Sequence, residues 1–164
     1  MNAKSVAGLA AVFVLAGCAG FATHFQPGVT GQNEVQQEMG KPRAVLQGSE
    51  GITIWQYPTS PEGLLTYIAR FGATGKLLSF EQVLDDAHFA KIEIGKTTNN
   101  EVSALIGPPW RTIHFPRQQH TAWDYRYRDL WGFRVEQSIV FDAAGVVVSK
   151  PQRRLDDDGK GGMM

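Results

Sequence analysis

The chain has 164 residues with 43% hydrophobic, 20% charged and 10% aromatic content, and its 16 Lys and Arg balance 16 Asp and Glu. Such a composition excludes a disordered or collagen-like chain, because apolar residues are plentiful and the 18 Gly follow no period of three. A single Cys excludes an intrachain disulfide scaffold, and zero net charge gives no cationic footprint for nucleic acid, so no nucleic-acid partner is expected.

The first segment reads as a leader. Met1 to Lys4 carries one positive charge, Val6 to Gly17 is an apolar and small-residue run, and Leu15-Ala16-Gly17-Cys18 closes it. The stretch 6–22 is at the lower limit for a membrane-spanning helix, against which its glycines and the lack of basic residues after it weigh. A buried structural thiol is the other reading of Cys18. Leu-Ala-Gly-Cys resembles the lipobox of bacterial lipoproteins, which implies cleavage after residue 17 and lipid attachment at Cys18. Each buried acyl CH₂ contributes about 0.8 kcal/mol, and stable anchoring takes two or more chains. Ala19 rather than Asp after the Cys implies, by resemblance to enterobacterial sorting, the outer membrane. A linker over 18–27 then leads to the folded region.

That region contains itself twice. Gly28 to Pro42 aligns without gaps to Gly95 to Pro109, with seven of fifteen positions identical at an offset of 67. Trp55-Gln-Tyr57 recurs as Trp123-Asp-Tyr125, and Phe71-Gly-Ala-Thr-Gly75 as Phe141-Asp-Ala-Ala-Gly145. These blocks divide the chain into a first repeat over 28–83, a second over 84–155 and a flexible tail over 156–164.

In chain order, a short helix follows Gly31. Strands are then expected at Ala44–Gln47, Ile52–Tyr57, Leu64–Phe71 and Lys76–Val83, where apolar residues alternate and β-branched and aromatic residues collect. Asp85 caps a helix through Ile92. Thr98-Asn-Asn-Glu101 is a capping box that opens a helix with Val102, Leu105 and Ile106 on one stripe, ended by Gly107 and two prolines. Strands follow at Arg111–Phe115, Thr121–Tyr127, Phe133–Phe141 and Val146–Arg153. The expected fold class is α+β: a tandem duplication of a helix-helix-(three to four antiparallel strands) unit, with helices packed on one face of the sheet.

Phe89 to Ile92, Gly95-Lys-Thr-Thr, Glu101-Val102, Leu105, Gly107-x-Pro109, Trp123-x-Tyr125 and Phe141-Asp-Ala-Ala-Gly145 carry a family resemblance. Over residues 84 to 155 the chain resembles the SmpA/OmlA (BamE-like) family, the small lipoprotein of the outer-membrane β-barrel assembly machinery. The tandem unit also looks like the β-lactamase-inhibitor-protein fold. The resemblance implies a non-catalytic, outer-membrane-anchored, periplasm-facing module whose partners are subunits of the β-barrel assembly complex or another envelope protein. Classical members of that family look like a single copy of the unit, and this chain has two, the first more degenerate.

Chemistry is sparse. His24, His88, His114 and His120 have no metal-ligand spacing, and Asp156-Asp157-Asp158-Gly159 lacks the alternation and closing Glu of a calcium loop, so neither metal nor cofactor is expected. No nucleophile elbow or phosphate loop is present, and no catalytic residue is assigned. Contact surface is the stronger lead. The turn Asp129-Leu130-Trp131-Gly132-Phe133 replaces a bland Pro58-Thr-Ser-Pro-Glu-Gly63 in the first copy. Leu130, Trp131 and Phe133 either form an exposed anchor or fold back onto the core.

Charge is uneven as well. Residues 18 to 90 hold 4 basic and 7 acidic residues, and residues 91 to 155 hold 10 and 6. Arg126, Arg128 and Arg134 flank the turn, where they could meet an acidic partner or anionic lipid headgroups. The expectation is a protein-binding scaffold accessory to β-barrel outer-membrane protein assembly. An independent periplasmic inhibitor-like binder, an envelope-integrity lipoprotein and an unrecognised hydrolase are the alternatives.

Overall fold

Local chemistry sets the helices first. Thr98 Oγ1 accepts the Glu101 N–H, and the Glu101 carboxylate accepts the Thr98 N–H at 2.7 Å, so a reciprocal box starts the helix at Asn99–Ile106. The matching helix, Gln32–Met39, has only half a box. Gly31 offers no side-chain oxygen, while Glu34 still accepts the Gly31 N–H at 2.5 Å. Between them lies Asp86–Ala90, barely more than one turn, capped by Asp85 accepting the His88 N–H at 2.8 Å. The three are named α1 (Gln32–Met39), α2 (Asp86–Ala90) and α3 (Asn99–Ile106). These features come from a computed structural model that describes residues 24–59 and 63–155. The leader, Cys18, most of the linker and the tail over 156–164 lie outside the described residues.

The strands are β1 (Ala44–Gln47), β2 (Thr53–Pro58), β3 (Thr66–Phe71), β4 (Leu77–Gln82), β5 (Arg111–Phe115), β6 (His120–Arg128), β7 (Arg134–Phe141), β8 (Val147–Ser149) and β9 (Gln152–Arg154). They form two antiparallel sheets, ordered β1-β2-β3-β4 and β5-β6-β7-β8, with β9 also paired to β7. The expected final strand over 146–153 is broken at Lys150-Pro151, because proline has no N–H for the ladder. Gly75 and Gly145 take φ of +74° and +79° in the two matching hairpins.

The α+β expectation is corrected here. Strands dominate the described residues, and the chain is mostly β-sheet rather than a tandem of helix-helix-sheet units with helices layered on one face. The reason is length: the helical signals are real but stop after five to eight residues, too few for a packed layer. Only one adjacent helix pair, α2 and α3, occurs among the described residues.

The register of the first sheet defines two faces. Trp55, Tyr57, Ala69, Phe71 and Leu77 form a cluster with Val35 of α1. The opposite face, with Leu46, Ile54 and Ile68, joins a second cluster shared with Val102 and Ile106 of α3 and with Tyr125, Tyr127, Ile139 and Phe141 of the second sheet. Polar contacts lock the junction: Gln56 Nε2 donates to the Ser103 carbonyl at 2.6 Å, and Arg70 Nη2 to the Ala104 carbonyl at 3.2 Å. The C-terminal carbonyls of α3 are thereby partnered by side chains of the first sheet. No helix of the described residues is long and apolar enough to cross a membrane.

Candidate functional site

The turn between β6 and β7 is built around Asp129. Its Oδ1 accepts the N–H groups of Trp131 and Phe133, each at 2.9 Å, and its carbonyl accepts the Gly132 N–H at 2.9 Å. Gly132 takes φ +82°, a left-handed position that suits glycine. Leu130 N–H donates to Asp86 Oδ2 at 3.2 Å, and Asp86 in turn accepts the Tyr127 hydroxyl at 2.5 Å. A turn with so many satisfied groups is held in shape.

What it presents is apolar. Leu130 is 87% exposed and Trp131 82%, while Phe133, at 42%, lies under the Arg154 guanidinium, 4.2 Å from its ring centroid. The tip therefore stands away from the core. Arg128 and Arg134 sit directly opposite one another at its base, with Arg128 Nη1 donating to the Gly132 carbonyl at 2.9 Å. Arg134 has a partner of its own. The structure thus brings together Leu130, Trp131, Phe133, Arg128 and Arg134.

Arg126 belongs elsewhere. It shares a sheet face with Arg128, but its Nε donates to Glu136 at 3.2 Å and its guanidinium lies 3.8 Å from the Trp110 ring centroid. Around it is a charged layer on the outer face of the second sheet. Arg111 donates twice to Asp124 Oδ2, at 2.8 and 2.6 Å, and Ser138 Oγ donates to Asp124 Oδ1 at 2.6 Å. Arg153 donates twice to Glu136 Oε1, at 3.0 and 2.8 Å. Asp124 and Glu136 are only 2% and 3% exposed, so their ionised forms depend on these donors.

Sequence reasoning missed this layer, Asp129 as the clamp and Arg154 as the cover on Phe133. Alternation of Asp124-x-Arg126 opposite Glu136-x-Ser138 was the available signal for the layer, and it becomes legible only once the register is known.

Among the described residues no group of three or more His, Asp or Glu is placed to hold a metal ion. His24 pairs with Glu38, His88 Nδ1 lies 2.8 Å from Asp85 Oδ1, and His114 Nδ1 lies 3.1 Å from Thr121 Oγ1. A cavity of about 170 Å³ lies between the sheets, lined in part by Arg43, Pro58, Thr66, Pro109, Trp110 and Tyr125. No carboxylate, imidazole or thiol lines it among the described residues. The indole Nε1 of Trp110 is buried without a hydrogen-bond partner among them.

Burial perturbs three phenols. It pushes Tyr57 up to about 12. Tyr125, whose hydroxyl donates to the Gly107 carbonyl at 3.1 Å, is raised well above the usual range by burial. Tyr127 is raised by burial first and then by its bond to the Asp86 carboxylate. All three remain protonated donors at neutral pH.

No protein-family profile matches the chain, and no curated protein matches it. Among solved structures it is similar to a DUF4309 family protein, YjgB, from Bacillus subtilis subsp. subtilis str. 168. The two share 14% sequence identity over 79% of this chain and 81% of that one, with a TM-score of 0.31. A score that low transfers neither fold nor function.

Proposed function

We propose that the chain is an outer-membrane-anchored, periplasm-facing lipoprotein that acts as a non-catalytic protein-binding module, held by lipid on Cys18 and accessory to β-barrel outer-membrane protein assembly. The anchor rests on the lipobox, and the assembly role on the resemblance over residues 84 to 155. The observation that carries the binding role is the exposed Leu130–Trp131 pair in a turn whose backbone is hydrogen-bonded from both sides. Burying each of these side chains against a partner is worth about 1.5 to 3 kcal/mol. A preformed turn loses little entropy on docking, and a Trp at the centre of a contact is the usual energetic anchor. Arg128, Arg134 and Arg154 around it suit a partner surface with acidic groups.

The test is recovery of partners from membranes in mild detergent by a C-terminally tagged full chain, alongside Cys18→Ser and Trp131→Ala. Barrel-assembly subunits should accompany the intact chain and be lost with either substitution. A correctly lipidated protein that brings down none of them would remove the assembly role. Partner recovery unchanged by Trp131→Ala would remove the tip from the contact.

A further inference from the structure

Beside the tip, the edge of the second sheet is open. β9 pairs with β7 in antiparallel register, Val135 opposite Arg154, Glu136 opposite Arg153 and Gln137 opposite Gln152. The Arg134 carbonyl accepts the Leu155 N–H, and the Pro151 carbonyl accepts the Ser138 N–H, both at 2.9 Å. Antiparallel partners alternate between bonded and non-bonded pairs, so residues 151, 153 and 155 turn their backbone groups toward β7. Gln152 and Arg154 therefore turn theirs outward, two N–H groups and two carbonyls that no group of the described residues bonds. Both residues are exposed.

Farther along the same edge, the chain itself shows how such groups are used. Gly95 N–H donates to the Val147 carbonyl at 2.7 Å, Val147 N–H donates to the Thr97 carbonyl at 2.9 Å, and Thr98 bridges Val146 in antiparallel fashion. A segment of the chain thus closes the edge at β8 and leaves it open at β9.

A recess of about 310 Å³ lies against the open stretch, lined in part by Asp86, Asp129, Trp131, Val135, Gln152 and Arg154. Its polar groups are already engaged with one another or with the turn. Asp86 accepts the Tyr127 hydroxyl and the Leu130 N–H, and the Gln152 amide donates to the same hydroxyl at 2.6 Å. Asp129 holds the turn, and the Arg154 guanidinium covers the Phe133 ring. What remains to be met is the exposed indole of Trp131. A bulky apolar side chain suits that surface, and an unpaired charge does not.

A second copy of the chain is a poor occupant. Symmetric antiparallel pairing of two β9 strands sets Arg153 directly opposite itself, and like charges so placed are destabilising. We propose that the partner of the tip binds as an extended strand added to the open edge of β9, its backbone bonded to Gln152 and Arg154 and one large apolar side chain seated in the recess against Trp131. This deepens the reading of the tip as a protein contact and rests on it. Main-chain bonds supply affinity with little regard to sequence, and the recess supplies selection.

The experiment titrates dye-labelled nine-residue peptides with the full lipidated chain in nonionic detergent, read by fluorescence anisotropy. The peptides alternate Thr and Val, with Phe, Leu, Ser or Lys at the centre. Those with Phe or Leu should bind about tenfold more tightly, or better, than those with Ser or Lys. Arg154→Pro removes an N–H that faces away from β7 and keeps the ladder, so it should weaken the Phe peptide about tenfold or more. Arg154→Ala keeps that N–H and should stay within about threefold. Thermal melts check folding of both variants, and N-methylated Phe peptides test the same bonds on the unaltered chain. Methylating one alternate set of amides should abolish binding, and methylating the other set should spare it. No binding by the Phe peptide, equal affinity for the four centres, equal loss from both methylated sets, or indifference to Arg154→Pro would each overturn strand addition. The tip reading outlives those results if Trp131→Ala still loses the membrane partners. Affinity for the Phe peptide untouched by Trp131→Ala would instead remove the tip, and the proposal with it. Self-association of the unaltered chain that Arg154→Pro abolishes would give the edge to a second copy and overturn the proposal as well.

Discussion

Asp129 Oδ1 accepts the Trp131 N–H at 2.9 Å, and that bond holds the backbone that carries a tryptophan 82% exposed to solvent. Replacing Trp131 with Ala should leave stability within about 0.5 kcal/mol, because little of the indole packs on the fold. It should weaken partner retention by about 2 kcal/mol or more, roughly thirtyfold. Asp129→Ala should keep the indole but release the turn, costing about 1 kcal/mol of stability and a smaller share of binding. Melting curves and titration of the purified partner check both; equal affinity for all three proteins would remove the tip from the interface.

Gly107 should resist a methyl group for two reasons. Its φ is +81°, and a Cβ there would lie 2.8 Å from the Thr66 Cγ2 across the junction. Gly107→Ala should cost about 2 to 4 kcal/mol, combining left-handed backbone strain with a steric clash. Gly40→Ala, at φ +77° with nothing within 4 Å, should cost the backbone strain alone, about 1 to 3 kcal/mol. Adding Thr66→Ser, which deletes the clashing methyl, should recover part of the first loss and none of the second. Chemical denaturation of the four variants measures these terms, and equal losses at positions 40 and 107 would contradict the close approach.

Glu136 gathers Arg126 and Arg153 on a carboxylate that is almost fully buried. Glu136→Gln keeps the shape and removes the charge, so Arg126 and Arg153 lose the carboxylate they share. A loss of about 1.5 to 3 kcal/mol is expected in denaturant midpoints, with Glu136→Ala no milder. A loss below about 1 kcal/mol would mean that solvent already screens the layer.

Alkaline pH should weaken the fold through its phenols. A tyrosine whose folded value lies above its unfolded value of about 10 binds its proton more tightly in the native state. The stability it supplies is complete below about pH 10 and is lost as pH rises through the folded value, which for Tyr57 is about 12 and for Tyr125 and Tyr127 lies higher. Absorbance of tyrosinate followed together with circular dichroism should show these three ionising only as structure is lost. Ionisation of all three near pH 10 with the fold intact would contradict their burial.

Much of the local structure was legible because its causes are local. Thr98-Asn-Asn-Glu101 announces its own helix start, and alternation such as Thr53-Ile-Trp-Gln-Tyr57 announces a strand wherever it packs. The fold class was not legible, since each helical signal was counted as a layer-forming element regardless of length. Asp86–Ala90 shows how little chain such a signal can occupy. The stripe Val102, Leu105 and Ile106 marks one buried side of α3, whereas the binding of Ser103 and Ala104 by Gln56 and Arg70 joins residues 34 to 47 positions apart. At the tip, sequence places Trp131 in a turn but says nothing of whether a neighbouring element covers it. Arg126 was assigned to the same contact by proximity in sequence; the pairing of β6 with β7 gives it to Glu136 instead.

The double engagement of α3 has a consequence for how the molecule comes apart. Its Val102 and Ile106 belong to one continuous buried cluster that runs from Ile54 and Ile68 of the first sheet to Ile139 and Phe141 of the second. Melting either sheet strips that helix of half its support and opens the shared cluster to water, and the first sheet keeps to itself only the smaller cluster around Val35, Trp55 and Phe71. Heating should therefore give a single endotherm whose calorimetric and van't Hoff enthalpies agree. The two halves, divided between β4 and α2 and expressed separately, should each lack stable structure, although the sequence reads as two copies of one unit.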